Sequence, residues 1–378
     1  MTFRYLVWLL LCLGVVPVFA QDEEHVQVHG FVTQGLLYSK DNNYLVSGTN
    51  TASVDWTEAA VSITDRPAPK LRIGIQLHYY ELSDLGSNYP TIDWALGDYQ
   101  VNPYFGLRAG KVKTPLGLFN DTQDIDPVLL WALLPQSIYA NDNRNFFLSH
   151  YGGDVYGTTP LGQKGGKLSY RAYGGTNNLP VTGGFGEQIY DQTGLVFDND
   201  LPAKQGGADF RWQTPIKSLM LGSSFLYVHT HAKAENGTAD IKSYAPAYYG
   251  KLEAGRYYAA GEYRRSINHA LFNISSSDVK TTYDLKAWYA MFSYRVNTKL
   301  QIGAYYSHYL YAPGMASYAS NNSKDLVLSG RYDFNQNFYA KVETHFLHGT
   351  ALGYYPDDNP DGVRPRTNLA VAKLGFSF

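Results

Sequence analysis

Leu369-Ala-Val-Ala-Lys-Leu-Gly-Phe-Ser-Phe378 ends the chain with apolar side chains at every second position. Successive side chains of a β-strand point to opposite faces. One face therefore carries the apolar side chains of Ala370, Ala372, Leu374, Phe376 and Phe378. The other face carries Lys373, Gly375 and Ser377. A strand of this kind separates an apolar environment from a polar one.

The same alternation recurs from residue 26 to the end of the chain, interrupted by clusters of Gly, Asn, Asp and Pro. Period-two runs bounded by such turn residues indicate strands. The sequence predicts sixteen strands, at 25–39, 52–65, 69–82, 91–101, 103–113, 151–160, 166–176, 205–214, 218–231, 239–252, 254–268, 280–296, 298–312, 322–334, 337–350 and 367–378.

The predicted connections alternate between short turns and longer loops. The longer ones are 40–51, 83–90, 114–150, 177–204, 232–238, 269–279, 313–321 and 351–366. Tight turns at one end, longer loops at the other and an even number of strands are typical of outer-membrane barrels. A soluble β-sandwich or barrel would also have one apolar face. Gly and charged residues recur on the second face of so many strands, however, that a single dry core does not account for them.

Residues 1–20 are interpreted as a secretory signal peptide, with Arg4 before an apolar run and Val18-Phe19-Ala20 as the cleavage site. An uncleaved anchor helix is the alternative, but the run is shorter than the ~20 residues that a spanning helix needs. The single cysteine, Cys12, lies in this segment, so residues 21–378 offer no disulfide or cysteine-ligated zinc. The formal net charge of −2 argues against nucleic-acid binding.

Two segments resemble known outer-membrane proteins. The final strand resembles the terminal signal of outer-membrane barrels, whose last aromatic residue, here Phe378, is read by the barrel-assembly machinery. Segment 107–124, with Gly110-Lys-Val-Lys-Thr-Pro115-Leu-Gly117-Leu, resembles a strand-to-loop element of the Gram-negative porin superfamily. It is closest to branches related to the phosphate-selective porins O and P.

The resemblance implies an all-β fold, a transmembrane antiparallel up-and-down barrel whose long third extracellular loop, 114–150, folds inward as a constriction. It also implies a homotrimer in the bacterial outer membrane, in contact with lipid and lipopolysaccharide. Barrel and loop together form one domain, 21–378. A barrel of sixteen strands leaves an aqueous channel.

The expected function is passive diffusion of small hydrophilic solutes or ions, without cofactor, metal or catalysis. A channel selective for phosphate or another anion, for a sugar or for a dicarboxylate is one alternative. An outer-membrane enzyme or adhesin on the same barrel is another. Phosphate specificity is not carried over from the resemblance, because the inward-facing candidates are mixed in sign.

Charged residues of the loop and of the strand faces are the candidates for lining the lumen, because rings of charge set ion preference. They are Asp121, Asp124, Asp126, Asp142, Arg144, Lys111, Arg108, Arg72, Arg256, Arg264, Glu262, Lys341 and Glu343. Opposed rows of acids and bases would produce a transverse field. Each charge could instead be solvated, or could pin the loop to the wall.

Two local ambiguities remain at the sequence level. Arg108 and Lys111 cannot both face inward on an unbroken strand, so either a bulge intervenes or one of them points elsewhere. The apolar segment 127–135 is expected to form a short helix that packs the loop against the barrel wall.

Signals for an enzyme are weak. The sequence has no G-x-S-x-G element, and its ten histidines are scattered. His229 and His231 form an H-x-H pair without an evident third metal ligand, and they are interpreted as ordinary surface residues.

Overall fold

A computed structural model describes residues 26–378 except 84, 87, 182, 183, 275 and 276. The predicted signal peptide lies outside the described residues. Sixteen antiparallel strands, each paired with the next, form a closed barrel in which β1 also pairs with β16. They are β1 Val26–Lys40, β2 Trp56–Ala68, β3 Leu71–Leu82, β4 Thr91–Asn102, β5 Phe105–Lys113, β6 Ser149–Pro160, β7 Lys167–Leu179, β8 Leu201–Gln213, β9 Leu219–Ala234, β10 Gly237–Ala254, β11 Tyr257–Ile274, β12 Ser277–Arg295, β13 Leu300–Leu310, β14 Asn322–Asp333, β15 Phe338–His348 and β16 Arg366–Ser377.

The predicted barrel and its sixteen strands are confirmed, and the main differences lie in β9 to β12. The sequence predicted loops at 232–238 and 269–279, but β9 ends at Ala234 and β10 begins at Gly237. Likewise, β11 extends to Ile274 and β12 begins at Ser277. Polar residues in these segments are typical of loops. They mark the end of the apolar outer surface, whereas backbone pairing between neighbouring strands continues beyond it.

The two faces of the wall differ as the alternation predicted. On β16, Leu374 is 63% exposed on the outside and Lys373 is 2% exposed on the inside. The exposed outer surface includes large apolar side chains from strands around the barrel, among them Leu36, Ile73, Leu107, Phe210, Leu221, Phe292, Ile302, Leu328 and Val342. Apolar side chains outside and polar side chains inside are the arrangement of a barrel surrounded by lipid.

Closure of the barrel joins the two ends of the described chain. The amide and carbonyl groups of Gly30 and Phe378 exchange hydrogen bonds of 3.1 and 3.0 Å, beyond the last residue of β16. The ring of Phe378 lies so close to Gly30 that a Cβ atom at residue 30 would overlap it. A closed ring leaves no strand edge unpaired, which is necessary where lipid offers no hydrogen-bond partner.

In the described part of the chain, helical structure is confined to the connections. Helix α1 spans Arg144–Leu148 and helix α2 spans Gly184–Thr193. Among the described residues, no helix combines the length and apolarity that a membrane-spanning helix requires.

The connection between β5 and β6, residues 114–148, is the long loop predicted from the sequence, and below we call it the inner loop. Its apolar side chains Leu129, Leu130 and Trp131 pack with Tyr305 and Met291 of the inner wall. Leu133 packs in a second cluster, with other wall side chains. The inner loop therefore folds into the barrel.

The helix expected at 127–135 is absent from this described segment. Only a short 3-10 turn, Asp126–Val128, forms there. The amides of Ala132 and Leu133 donate to the Glu343 carboxylate at 2.8 and 3.0 Å. A wall carboxylate thus takes up backbone donors that a helix would have used within itself.

Candidate functional site

Two glycines set the path of the inner loop. Gly110 in β5 has φ +128°, and Gly117 in the loop has φ +66°. Both values lie in the region that favours glycine, because a Cβ atom is strained there. A Cβ at either position would also overlap its surroundings, the Ala95 carbonyl at Gly110 and the Glu262 carboxylate at Gly117. The glycine spacing of the porin-like segment thus has a steric reason.

Glu262 on β11 holds the first part of the inner loop. Its carboxylate accepts hydrogen bonds from the Leu118 amide at 3.1 Å, the Tyr139 hydroxyl at 2.6 Å and the Tyr289 hydroxyl at 3.3 Å. Arg264 on the same strand forms an ion pair with it at 3.2 Å. The Arg264 guanidinium also donates to the Ile138 carbonyl at 3.2 Å. Hydrogen bonds to a charged group contribute more than neutral ones, so this cluster is a strong attachment point.

A lysine-rich cluster holds the opposite part of the loop. Asp126 forms ion pairs with Lys341 at 2.9 Å and Lys373 at 2.6 Å, and Lys373 also pairs with Glu58 at 3.0 Å. The side chains of all four residues are at most 6% exposed. Asp126 therefore pins the loop to β15 and β16.

Alternating arginines and aspartates form a continuous ladder across the inner wall from β3 to β8, with one rung from the inner loop. Consecutive side chains are joined by ion pairs of 3.4, 3.2, 3.7, 2.8, 2.9, 2.8 and 2.9 Å. The members, in order, are Arg72, Asp98, Arg108, Asp154, Arg171, Asp121, Arg211 and Asp209. We call this set the arginine–aspartate ladder. Its formal charges cancel, so its members do not form opposed rows of one sign.

Several predicted lumen residues anchor the loop. Asp124 is fully buried and accepts from Lys113 at 2.6 Å and from Gln76 at 2.9 Å. Arg144, 6% exposed, pairs with Asp93 on β4 at 2.8 Å. These contacts correspond to the alternative in which loop charges pin the loop to the wall.

Two predicted residues lie away from the lumen. Lys111 is paired in register with Tyr151, whose side chain is 58% exposed on the outer face. Lys111 therefore points to the same face, and its ammonium group donates to the Ile92 carbonyl at 2.6 Å. Arg108 faces inward, so the parity question is answered with Lys111 outside. Arg256 lies exposed in the turn between β10 and β11, beyond the strand alternation that suggested an inward position.

The sequence pattern did not predict Asp93, Asp154, Arg171, Asp209 or Arg211 as site residues. Asp209 and Arg211 lie two residues apart on β8 and so share one face. That spacing was a usable signal. The ladder itself was not predictable, because it depends on which inward residues of neighbouring strands fall at one height.

Asp121 is the loop member of the ladder, and its side chain is 27% exposed. Burial opposes its ionisation, but the guanidinium groups of Arg211 and Arg171 hold its pKa below the usual range.

Asp121→Asn should leave the ladder with an excess positive charge at neutral pH. We expect the reversal potential in a salt gradient across a planar bilayer to shift toward anion preference. Asp361→Asn, in an exposed connection, removes the same charge as a control. An unchanged potential in Asp121→Asn would exclude Asp121 from the conduction path.

Asp142 is half-buried in the inner loop, and its carboxylate accepts a hydrogen bond from the Asn143 side-chain amide at 2.8 Å. Burial raises its pKa to about 6. A released loop would ionise nearer the ordinary value of about 3.9. Attachment of the inner loop to the barrel is therefore most stable below pH ~4, where Asp142 is protonated. It becomes less stable as the pH rises toward 6. We expect wild type to lose urea resistance in vesicles between pH 4 and 7 relative to Asp142→Asn. Parallel pH profiles would contradict this.

The H-x-H pair lies at a hairpin end and shares one carboxylate. His229 and His231 both contact one Asp240 oxygen, each at 3.1 Å, near the end of the β9–β10 hairpin. No group of three or more metal-ligating side chains suited to a metal ion occurs in the part of the chain that the structure describes.

Solved structures share this architecture. The outer membrane channel DcaP of Acinetobacter baumannii aligns over 93% of this chain and 97% of its own, with 13% identity and a TM-score of 0.58. OmpF of Salmonella typhi, solved with daunomycin, aligns over the same shares, with 13% identity and a TM-score of 0.56. OmpT, an outer membrane protein of Vibrio cholerae in its trimer form, covers 93% of this chain and 99% of its own, with 12% identity and a TM-score of 0.56.

The fold is that of Gram-negative outer-membrane porins. No protein-family model and no curated protein matches the chain. At these identities the likeness to the porins concerns the fold, and the phosphate-selective branch is not confirmed.

Proposed function

We propose that this chain is an outer-membrane porin through which small hydrophilic solutes or ions diffuse without cofactor or energy input. The observation that carries the proposal is a closed sixteen-stranded barrel, apolar outside and lined by ion-paired groups inside, with its longest described loop folded into the interior. In such barrels loops and charged rings narrow the channel and set its selectivity. The inner loop and the arginine–aspartate ladder are the parts of this chain that would do so.

The proposed surroundings follow from the barrel. Its apolar outer surface would contact membrane lipid, and its outer end lipopolysaccharide. We propose a homotrimer, supported by the trimer form of the Vibrio cholerae neighbour. Phe378, paired with Gly30 at the closure of the barrel, is the proposed recognition point for the barrel-assembly machinery. Phosphate selectivity is not proposed, because each arginine of the ladder adjoins an aspartate.

Planar-bilayer recording of purified, refolded protein tests the proposal. Stepwise conductance increments are expected, together with liposome swelling in small sugars. Heat-dependent migration on a detergent gel would show, in the same preparation, that the barrel has formed. A folded barrel that gives neither conductance nor swelling would overturn the proposed function.

A further inference from the structure

The two ends of the barrel carry different connections. Neighbouring strands alternate in direction, so the connection between β2 and β3 and every second connection after it lie at one end, which we call the turn end. The remaining connections, including the inner loop, start from the opposite end, which we call the loop end. In outer-membrane barrels short turns face the periplasm and longer loops face outward.

Basic residues dominate the turn end. The turns at this end contain no aspartate or glutamate in the sequence. Most of them carry a lysine or an arginine, and all of these bases are exposed: Lys70, Lys164, Lys217, Arg256 and Lys299. The turn end is therefore positively charged.

Positive charge at the turn end extends into the interior. A vestibule of about 590 Å³ is lined both by the turn between β12 and β13 and by residues 127–130 of the inner loop. Its lining includes Arg295, Lys299 and Arg331, and Asp333 is the one carboxylate among the lining residues. Arg331 pairs with Asp333 at 2.8 Å, whereas Arg295 and Lys299 are exposed. The vestibule thus has a net positive charge.

Acidic residues dominate the loop end. Connection 180–200 has no lysine or arginine, and its acidic residues are Glu187, Asp191, Asp198 and Asp200. The acidic residues of connection 349–365 are Asp357, Asp358 and Asp361. The base in that connection, Arg364, is paired with Asp41 at 2.8 Å. Burial and the negative charges of Asp191 and Asp357 raise the pKa of Glu187, so carboxylates of the two connections lie near one another.

Fixed charge therefore changes sign along the barrel axis. The arginine–aspartate ladder lies inside the barrel, and its formal charges cancel. A charged opening raises the local concentration of ions of the opposite sign, and rings of charge set ion preference. Cations are enriched at the loop end and anions at the turn end.

We propose that the pore rectifies ionic current. When the loop end is at the positive potential, cations enter through the acidic end and anions enter through the basic end, so both accumulate inside and the conductance is high. At the opposite polarity each ion must enter through the end that repels it, so the interior is depleted of carriers. This inference rests on the proposed porin function and adds a preferred direction to its conduction.

Single-channel recording in planar bilayers, with potassium chloride as the probe, tests the proposal on residues 21–378. The Debye length is about 10 Å in 0.1 M salt and about 3 Å in 1 M salt, so charges at the rim act across the opening mainly in the dilute solution. At equal and opposite voltages in 0.1 M salt, we expect about twofold more current when the loop end is positive. The two currents should become nearly equal in 1 M salt.

A single cysteine shows which compartment faces the turn end. Gln163, in the turn between β6 and β7, is exposed. Gln163→Cys, introduced into every protein recorded and biotinylated before insertion, binds streptavidin, which is too large to cross the pore. Streptavidin added to one compartment changes the current only when the turn end faces that compartment.

Two variants of equal total charge assign the effect to the turn end. The first neutralises lysines of the turns, with Lys70→Gln, Lys164→Gln, Lys217→Gln and Lys299→Gln. The control neutralises lysines of the outer face of β10, β12 and β14, with Lys242→Gln, Lys280→Gln, Lys286→Gln and Lys324→Gln. The currents of the turn variant should become nearly equal at the two polarities, whereas the control should rectify as wild type does.

Heat-modifiable migration shows that each variant has formed its barrel. A folded turn variant that still rectifies as wild type would overturn the inference, and so would equal loss of rectification in the control. Wild-type currents that are equal in dilute salt, or larger with the turn end positive, would overturn it and leave the porin function standing. A folded wild-type barrel without conductance would overturn both.

Discussion

Lys373→Met is expected to lower the free energy of unfolding by about 3–5 kcal/mol, because it removes one partner from a buried ion-pair cluster. Lys373 lies 2.6 Å from Asp126 and 3.0 Å from Glu58. After the substitution Glu58 keeps its contact with His78, at 3.1 Å. Asp126 keeps Lys341. Two carboxylates with reduced compensation would then remain inside the barrel.

Urea unfolding in lipid vesicles, followed by tryptophan fluorescence, measures this loss, and Trp131 places one reporter in the inner loop. Release of the loop from β16 should also make single-channel conductance larger and noisier. Lys251→Met is the matched control, since Lys251 is partly exposed and pairs with an exposed Glu253. Its expected effect is about 0–1 kcal/mol. Equal effects of the two substitutions would contradict the anchoring role of Lys373.

Gly117→Ala is expected to detach the first part of the inner loop from β11. An alanine at φ +66° is strained by about 1–2 kcal/mol. Its Cβ would also overlap the Glu262 carboxylate, which cannot retreat without leaving its four donors. Loss of the hydrogen bond from the Leu118 amide to Glu262 would alone cost about 1.5–3 kcal/mol, because the acceptor is charged.

Proteolysis of the folded barrel provides the measurement. The loop of Gly117→Ala should be cut at least tenfold faster than that of wild type while β-sheet content stays the same. Gly97→Ala is the control, because Gly97 lies outside the positive-φ region and a Cβ atom added there would meet nothing within 4 Å. Wild-type cleavage rates in Gly117→Ala would show that the Glu262 carboxylate can move away from the added Cβ atom without releasing the loop.

The sequence predicted the two faces of the barrel wall, but it did not predict most of the contacts inside the barrel. Alternation on β3, β13, β15 and β16 identified both faces, because lipid and lumen impose opposite demands on successive residues. Contacts inside depend on the height at which strands meet, and that height is set by register. Arg171 and Arg211, for example, come from neighbouring strands and meet only at Asp121.

The inner loop shows the same division. Its position in the chain and its two glycines were visible in the sequence, whereas the helix predicted at 127–135 was wrong. A local apolar run favoured a helix, but a distant carboxylate, Glu343, captured the backbone amides. A partner so far along the chain leaves no local trace.

The unequal lengths of the strands make the rim of the barrel uneven. Strands β10, β11 and β12 contain 18, 18 and 19 residues, whereas β5 contains 9. At about 3.3 Å per residue and a tilt near 45°, the long ones rise roughly 40 Å, beyond an apolar band of roughly 25 Å. The hydrogen-bonded wall is therefore taller at β10 to β12 than at β5, and the rim of the barrel is oblique.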